Sequence, residues 1–184
     1  TAIAKFLGYF VSEGWINKNG QIWFVNGEEA VINDYILNTK SAFSVETHIF
    51  NHGPNAKDVI IYSSALGKFL EKAFGLVIGS RSKDKKIPSQ IFSSDNETIT
   101  SFLSALFEGD GYVSVDRRGS GDYFEYSSAS KLLSEGVSSL LLRLGVSSVI
   151  RECKKAATNT KLNKKSIYYS VFVYGIDNVK KLAN

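Results

Sequence analysis

The sequence predicts an α+β protein made of two pseudo-symmetric copies of one αββαββ(α) unit. Three observations lead there. The runs Phe6-Leu7-Gly8-Tyr9-Phe10-Val11-Ser12-Glu13-Gly14 and Leu103-Ser104-Ala105-Leu106-Phe107-Glu108-Gly109-Asp110-Gly111 share one design, small residues four apart, then an acid, then a glycine. Each run leads into two strand-like stretches, a helical pattern and two more strand-like stretches. The last acids of the runs, Glu13 and Asp110, stand 97 positions apart, so the whole context repeats at one offset. A chain of 184 residues with 43% hydrophobic content buries a proper core, and it divides into halves 1–95 and 96–184 that form one compact unit.

The elements follow in order. Each run reads as the last turns of an apolar helix, closed by a glycine able to take the left-handed conformation. Gly8 with Ser12, and Ala105 with Gly109, put small residues on one face of each helix, so two such helices can approach more closely than usual. After the first run, Trp15 to Asn19 and Gln21 to Asn26 flank Asn19-Gly20, a strong hairpin signal. After the second, Tyr112 to Arg118 and Asp122 to Ser128 flank Gly119-Ser120-Gly121. Helices are expected at 28–39 and 129–144, the latter capped by Gly145. Strands are expected at 45–50, 58–63, 148–153 and 166–174, and closing helices at 68–74 and 177–183. Alternation turns Ile22, Phe24, Val113 and Val115 toward the helices and leaves Gln21, Trp23, Val25, Ser114, Asp116 and Arg118 on the other face. There Trp23 suits a polar-aromatic interface, or is plain core if the face is misread.

Composition excludes several classes. No stretch approaches the ~18 consecutive apolar residues of a membrane helix, and the start of the chain lacks the regions of a signal peptide, so an intracellular, cytoplasmic or nucleoid protein without a membrane partner is expected. One cysteine, Cys153, forbids an internal disulfide and reads as a small buried hydrophobe; with only His48 and His52 beside it, no zinc cluster forms from Cys and His alone. The net charge of +4 is modest, but cations cluster at 81–86, at Arg117-Arg118, at Lys154-Lys155 and at 161–165, which suits a polyanion on one face. The absence of methionine fits either loss of an initiator ahead of Thr1 or excision from a longer polypeptide.

The final acids carry the chemistry. A carboxylate in the last turn of a helix faces the negative end of the macrodipole, and a second one beside it adds repulsion. A divalent cation reverses both penalties, so Glu13 and Asp110 read as metal ligands. The second run, with Phe102 before it and Tyr112-Val113 after it, closely resembles the LAGLIDADG motif of homing endonucleases. The first resembles it in eroded form, with Val11 in place of the first acid and Glu13 in place of the usual last aspartate. Ser82-Lys83-Asp84-Lys85-Lys86-Ile87-Pro88 is similar to the family's basic loop, its Lys85 standing 25 residues ahead of Asp110.

The resemblance implies motif helices packed at the centre and saddle-shaped antiparallel sheets facing double-stranded DNA. It implies a monomeric, two-motif, intein- or intron-encoded, site-specific endonuclease that hydrolyses one phosphodiester in each strand with a staggered cut at a long asymmetric site. The expected cofactor is Mg²⁺, with Mn²⁺ or Ca²⁺ substituting in binding, held by Glu13 and Asp110 without any small-molecule cofactor. Lys85 is the candidate to orient attacking water or offset developing charge, against a simpler phosphate-binding role that Lys83 or Lys86 also suits. Candidate DNA contacts are Asn17, Asn19, Gln21, Trp23, Ser114, Asp116, Arg117, Arg118, Lys83, Lys86, Lys164 and Lys165. At the strand ends, Asn26 and Ser128 either hold solvent or form turns. The alternative is a catalytically inactive nucleic-acid-binding protein of the same fold, an RNA-splicing maturase or a DNA-binding regulator.

Overall fold

The unbroken apolar run from Phe6 to Val11 needs cover on every side, and it finds it: in α1 (Ala2–Glu13) each residue from Phe6 to Ser12 is buried. The computed structural model describes residues 1–114, 122–156, 165–175 and 178–179, and these fall into two units. The first comprises Thr1–Arg81 with Pro88–Gly109; the second comprises Ser82–Ile87 with Asp110–Asn184.

In the first unit α1 leads into β1 (Gly14–Ile16), β2 (Ile22–Asn26), α2 (Glu29–Phe43), β3 (His48–His52), β4 (Ala56–Ile61) and α3 (Ser64–Phe74). The short α4 (Ser89–Phe92) follows, and then α5 (Asn96–Asp110), whose last residue begins the second unit. The sheet is antiparallel in the order β1-β2-β4-β3, with Phe24 opposite Gly14 and Val59. One face of it is core: Ile16, Ile22, Phe24, Val59 and Ile61 are almost wholly buried. Aromatic rings join that face to the helices, for Tyr35 of α2 stacks on Phe24 at 4.1 Å and on Phe6 of α1 at 5.5 Å. Buried aromatics of this size dominate core energetics. The small residues do what their spacing implies. A side chain at Gly8 would overlap the carbonyl of Phe102 and lie 2.9 Å from Ala105 Cβ, and one at Gly109 would overlap Ser12 Oγ. Within this unit, then, Gly8 and Ser12 of α1 lie against Ala105 and Gly109 of α5 in near backbone contact.

The second unit repeats the plan with β5 (Gly111–Ser114), β6 (Tyr123–Ser128), α6 (Lys131–Arg143), β7 (Val149–Ala156) and β8 (Lys165–Tyr174). Its sheet is antiparallel in the order β5-β6-β8-β7, the same order as in the first. Phe124, Tyr126, Val171 and Val173 form its core face, covered by Leu133, Val137, Leu140 and Leu141 of α6. At the end of α6 the amides of Gly145 and Val146 reach the carbonyls of Leu142 and Leu141, both at 2.9 Å, with Gly145 at φ 75°. This is the glycine cap that the sequence predicts. The strand-end residues are turn formers: Asn26 Oδ1 accepts from the Glu28 amide at 2.8 Å and Ser128 Oγ from the Ser130 amide at 3.1 Å.

Several expectations need correction. Gly14 closes α1 in an extended conformation, φ −96°, and not in the left-handed one. Glycine is needed there for space, since a Cβ would stand 2.7 Å from Phe10 Cδ2 and 2.8 Å from Phe10 Cα. The hairpin turn is wider than Asn19-Gly20, because Asn17 takes over the backbone: its Oδ1 accepts the amides of Asn19 and Gln21, both at 3.0 Å. Val113 stands opposite buried Phe124 as alternation requires, yet is 54% exposed because β5 is an edge strand. Cys153, on edge strand β7, is half-buried and not core. The helix α3 starts four residues early because Ser63 Oγ caps it at the Leu66 amide, and α2 runs on to Phe43, where Ser44 at φ 52° stops it. The expected strand at 45–50 accordingly lies at His48–His52. Val115 and most of the closing helix at 177–183 lie outside the described residues.

Candidate functional site

Each motif helix ends on an acid. Glu13 is the last residue of α1, half-buried, its Cγ 3.3 Å from where a Cβ on Gly109 would sit. Asp110 is the last residue of α5 and is exposed, with exposed Glu108 two residues earlier. Neither helix has a basic residue in its last turn, so each negative helix end meets carboxylate and no lysine or arginine of its own. That local charge is felt by Tyr9, whose phenol is pushed up by burial, by its hydrogen bond to Asp34, and by the charges of Asp34 and Glu108. Among the described residues no group of three or more His, Cys, Asp or Glu forms a ready cation cage. Hard carboxylates at helix ends fit a cation that keeps waters and takes its remaining ligands from phosphate, as Mg²⁺ does, and fit poorly a metal that wants sulfur or imidazole.

Of the three lysines in the basic loop, Lys83 and Lys86 are exposed and Lys85 is half-buried. A 3₁₀ turn at Ser82–Asp84 leads into Lys85, whose amide reaches the Ser82 carbonyl at 3.4 Å. Buried Ile87 anchors the far end, and Ser130 at the start of α6 donates its hydroxyl to the Lys85 carbonyl at 2.6 Å. Residues 82–87 thus belong to the same unit as Asp110, although in the sequence they lie in the first half.

The sheet faces turned away from the helices carry the remaining candidates. In the first unit Trp23 sits between Trp15 and Ile60 in the register. It stacks on Trp15 at 5.7 Å and lies on the outer face as alternation predicts, but it is half-buried and its enclosed indole N–H finds no acceptor among the described residues. Asn17 Nδ2 donates to Gln21 Oε1 at 2.7 Å, so both side chains shape the hairpin, while Asn19 is exposed. On the same face His52 Nδ1 lies 3.0 Å from Asp58 Oδ1. In the second unit Ser114, half-buried, pairs with Tyr123. Asp116, Arg117, Arg118 and Lys164 lie outside the described residues, and of Lys165 only its place at the start of β8 is described.

Sequence reasoning missed the most developed feature of this second face. Tyr123, Phe172 and Tyr174 gather their rings 5.7 to 6.0 Å apart, and the Arg151 guanidinium lies 5.4 Å from the Phe172 centroid and 5.7 Å from that of Tyr174. The signal was present: in Ser170-Val171-Phe172-Val173-Tyr174 an aromatic or polar residue alternates with buried valine. An arginine over aromatic rings gains cation–π attraction, and its fork of donors suits base edges and phosphate.

Known structures share this architecture. The mesophilic variants of the homing endonuclease I-DmoI superpose with a TM-score of 0.64 at 14% identity, over 99% of this chain and 93% of theirs. The protein has the LAGLIDADG fold. Residues 97–184 match the family model described as LAGLIDADG-like domain. The same fold is found in full-length DUF199/WhiA from Thermatoga maritima, with a TM-score of 0.62, 16% identity and coverage of 98% of this chain and 53% of that one. It is found also in I-DmoI in complex with DNA and Mn, with a TM-score of 0.62, 15% identity and coverage of 99% and 94%. Among curated proteins, this chain is 29% identical to part of the probable translation initiation factor IF-2 of Methanocaldococcus jannaschii, over 100% of its own length and 15% of the relative's. It is 27% identical to part of the replication factor C small subunit of the same organism, over 97% and 9%, and 25% identical to part of the RecA protein of Mycobacterium tuberculosis, over 98% and 24%. The chain therefore spans less than a quarter of each of these relatives. Among the described residues no helix is long and apolar enough to cross a membrane.

Proposed function

We propose that this LAGLIDADG chain is a site-specific homing endonuclease that hydrolyses one phosphodiester in each strand of duplex DNA, acting as a monomer with Mg²⁺. The observation that carries the reading is the carboxylate, Glu13 or Asp110, that forms the last residue of each motif helix, at the negative end of its dipole. A protein that only gripped a polyanion has no use for carboxylates there. Glu13 and Asp110 would hold the cations; a bound divalent ion supplies neutralisation of the phosphate and polarisation of water. Lys85 holds a positive charge where negative charge develops, and the outer sheet faces of the halves 1–95 and 96–184 each read one half of a long asymmetric site. Arg151 with its aromatic shelf, and the basic stretches at 117–118 and 164–165, supply contacts to base edges and phosphates.

The relatives favour an origin inside other proteins. A translation initiation factor, a replication factor and RecA do unrelated work, yet each contains a stretch that aligns with nearly all of this chain. On this reading the shared stretch is a self-contained insert of the intein type, and this chain is one such insert acting on DNA inside the cell.

Incubating the protein with a randomised plasmid library, with magnesium or with EDTA, tests the reading. Linear product is expected with the metal and none with EDTA. In Glu13→Gln and Asp110→Asn cleavage is expected to fall about 10²–10³-fold while binding to the recovered site persists; undiminished cutting in both variants overturns the site assignment. The erosion of the first motif at Val11 favours a second reading, a binder of the same fold that does not cut. Recovery of a bound site without any cleavage is its signature.

A further inference from the structure

We infer that Ser130 is the positioning residue for Lys85, setting the direction of the lysine through its backbone carbonyl; the inference rests on the nuclease reading for the role of Lys85 and on hydrogen bonding for the rest. Most of the loop at 82–87 is exposed: Ser82, Lys83, Asp84 and Lys86 all face solvent, and a loop of that kind samples many directions. Its backbone at Lys85 is different. The hydroxyl of Ser130, a residue only 2% exposed, donates to the Lys85 carbonyl at 2.6 Å, a short, partly buried bond. The same oxygen accepts the Leu133 amide at 3.2 Å, and the Ser130 amide is itself bound by Ser128 Oγ at 3.1 Å. Every hydrogen-bonding group of Ser130 named here is thereby in use, and its rotamer is determined. Since the bond falls on the carbonyl, it fixes the backbone from which the Lys85 side chain springs and so its Cα–Cβ direction.

The first copy shows that folding alone does not require this. The residue at the corresponding helix start there is Glu28, two after turn-forming Asn26 as Ser130 is two after Ser128, and Glu28 makes no side-chain cap. The serine of the second copy does two jobs, capping α6 and holding the basic loop, and only the second job needs a donor.

That difference makes the test. Ser130→Asp keeps an acceptor for the Leu133 amide but has no proton for the Lys85 carbonyl, Ser130→Thr keeps both, and Ser130→Ala loses both. Amide hydrogen exchange by mass spectrometry reads the loop directly: exchange in 84–87 is expected to rise about tenfold in the Asp and Ala variants and to stay at the wild-type level in Thr, with α1 unchanged in all. Cleavage of the site recovered from the library is then expected to lose about tenfold in kcat with KM unchanged in Ser130→Asp, with recovery in Ser130→Thr and no further loss on a Lys85→Ala background. Unchanged loop exchange in Ser130→Asp, or a loosened loop with wild-type kcat, overturns the positioning role. A wild-type protein that cuts no library site overturns instead the nuclease reading and the catalytic part of this inference with it, whatever the exchange shows.

Discussion

Single residues show how one side chain can set a local property that no pattern announces. Asp34 of α2 receives hydrogen bonds from Lys5 Nζ at 3.0 Å and Tyr9 OH at 2.8 Å, both from α1. Burial alone would raise its carboxyl; the bonds from Lys5 and Tyr9 and the charge of Lys5 more than offset this and hold it below the usual carboxylate range. A depressed folded pKa means that the contribution to stability is present above the unfolded value, about 4, and is lost as pH falls through the lower folded value. The urea midpoint of the wild type is therefore expected to drop between about pH 5 and pH 2, and that of Asp34→Asn to start lower and change less across the same window. A steeper acid dependence in the variant would contradict the sign. In sequence Asp34 was one acid among many on a predicted helix, since nothing local says that Lys5 and Tyr9 come from 25 or more residues away to meet it.

At the scale of elements the packing of α1 against α5 is the clearest case of sequence legibility. The four-residue spacing of small residues predicted close helices, and Gly8 and Gly109 are where a side chain has no room. The two sites differ in what they meet. At Gly8 the obstacle is the Phe102 carbonyl, which belongs to a helix backbone and cannot rotate aside; at Gly109 it is the Ser12 side chain, whose hydroxyl can rotate although its Cβ, at 2.9 Å, cannot. Gly8→Ala is expected to lower stability by about 2–3 kcal/mol, and Gly109→Ala by less, with part of the second loss recovered by Ser12→Gly. Denaturant unfolding measures both, and equal losses that Ser12→Gly does not relieve would show that the contact is misread. Pattern failed at the strand edges instead. Period-two alternation correctly assigned the face of Val113 but not its burial, because burial depends on whether another element covers an edge strand.

For the whole molecule, the repeat of one strand order in both sheets, with a turn-forming side chain at Asn26 and again at Ser128, is the structural trace of the 97-residue offset. The charge belongs to this scale too. A net +4 is small, so attraction to a polyanion has to come from clustered cations. Binding to duplex DNA is expected to weaken steeply with salt, with a log–log slope of about −5 or steeper if six or more phosphates are contacted. Fluorescence anisotropy across about 50–200 mM salt measures it, and a flat profile would remove the phosphate contacts from the proposal.

The order of helices and strands, the duplication and the close-packed faces of the motif helices were determined by sequence alone, because each is written in periodicity, in turn residues and in the placement of small side chains. Tertiary structure decided the rest. That Gly14 is required for room and not for a left-handed turn, that Arg151 lies against the rings of Phe172 and Tyr174, and that the loop carrying Lys85 is tied to a serine 45 residues further on all depend on which distant groups come together. Hydrogen bonds and ring contacts across such separations leave no period in the chain, and only the folded backbone brings their partners within a few ångströms.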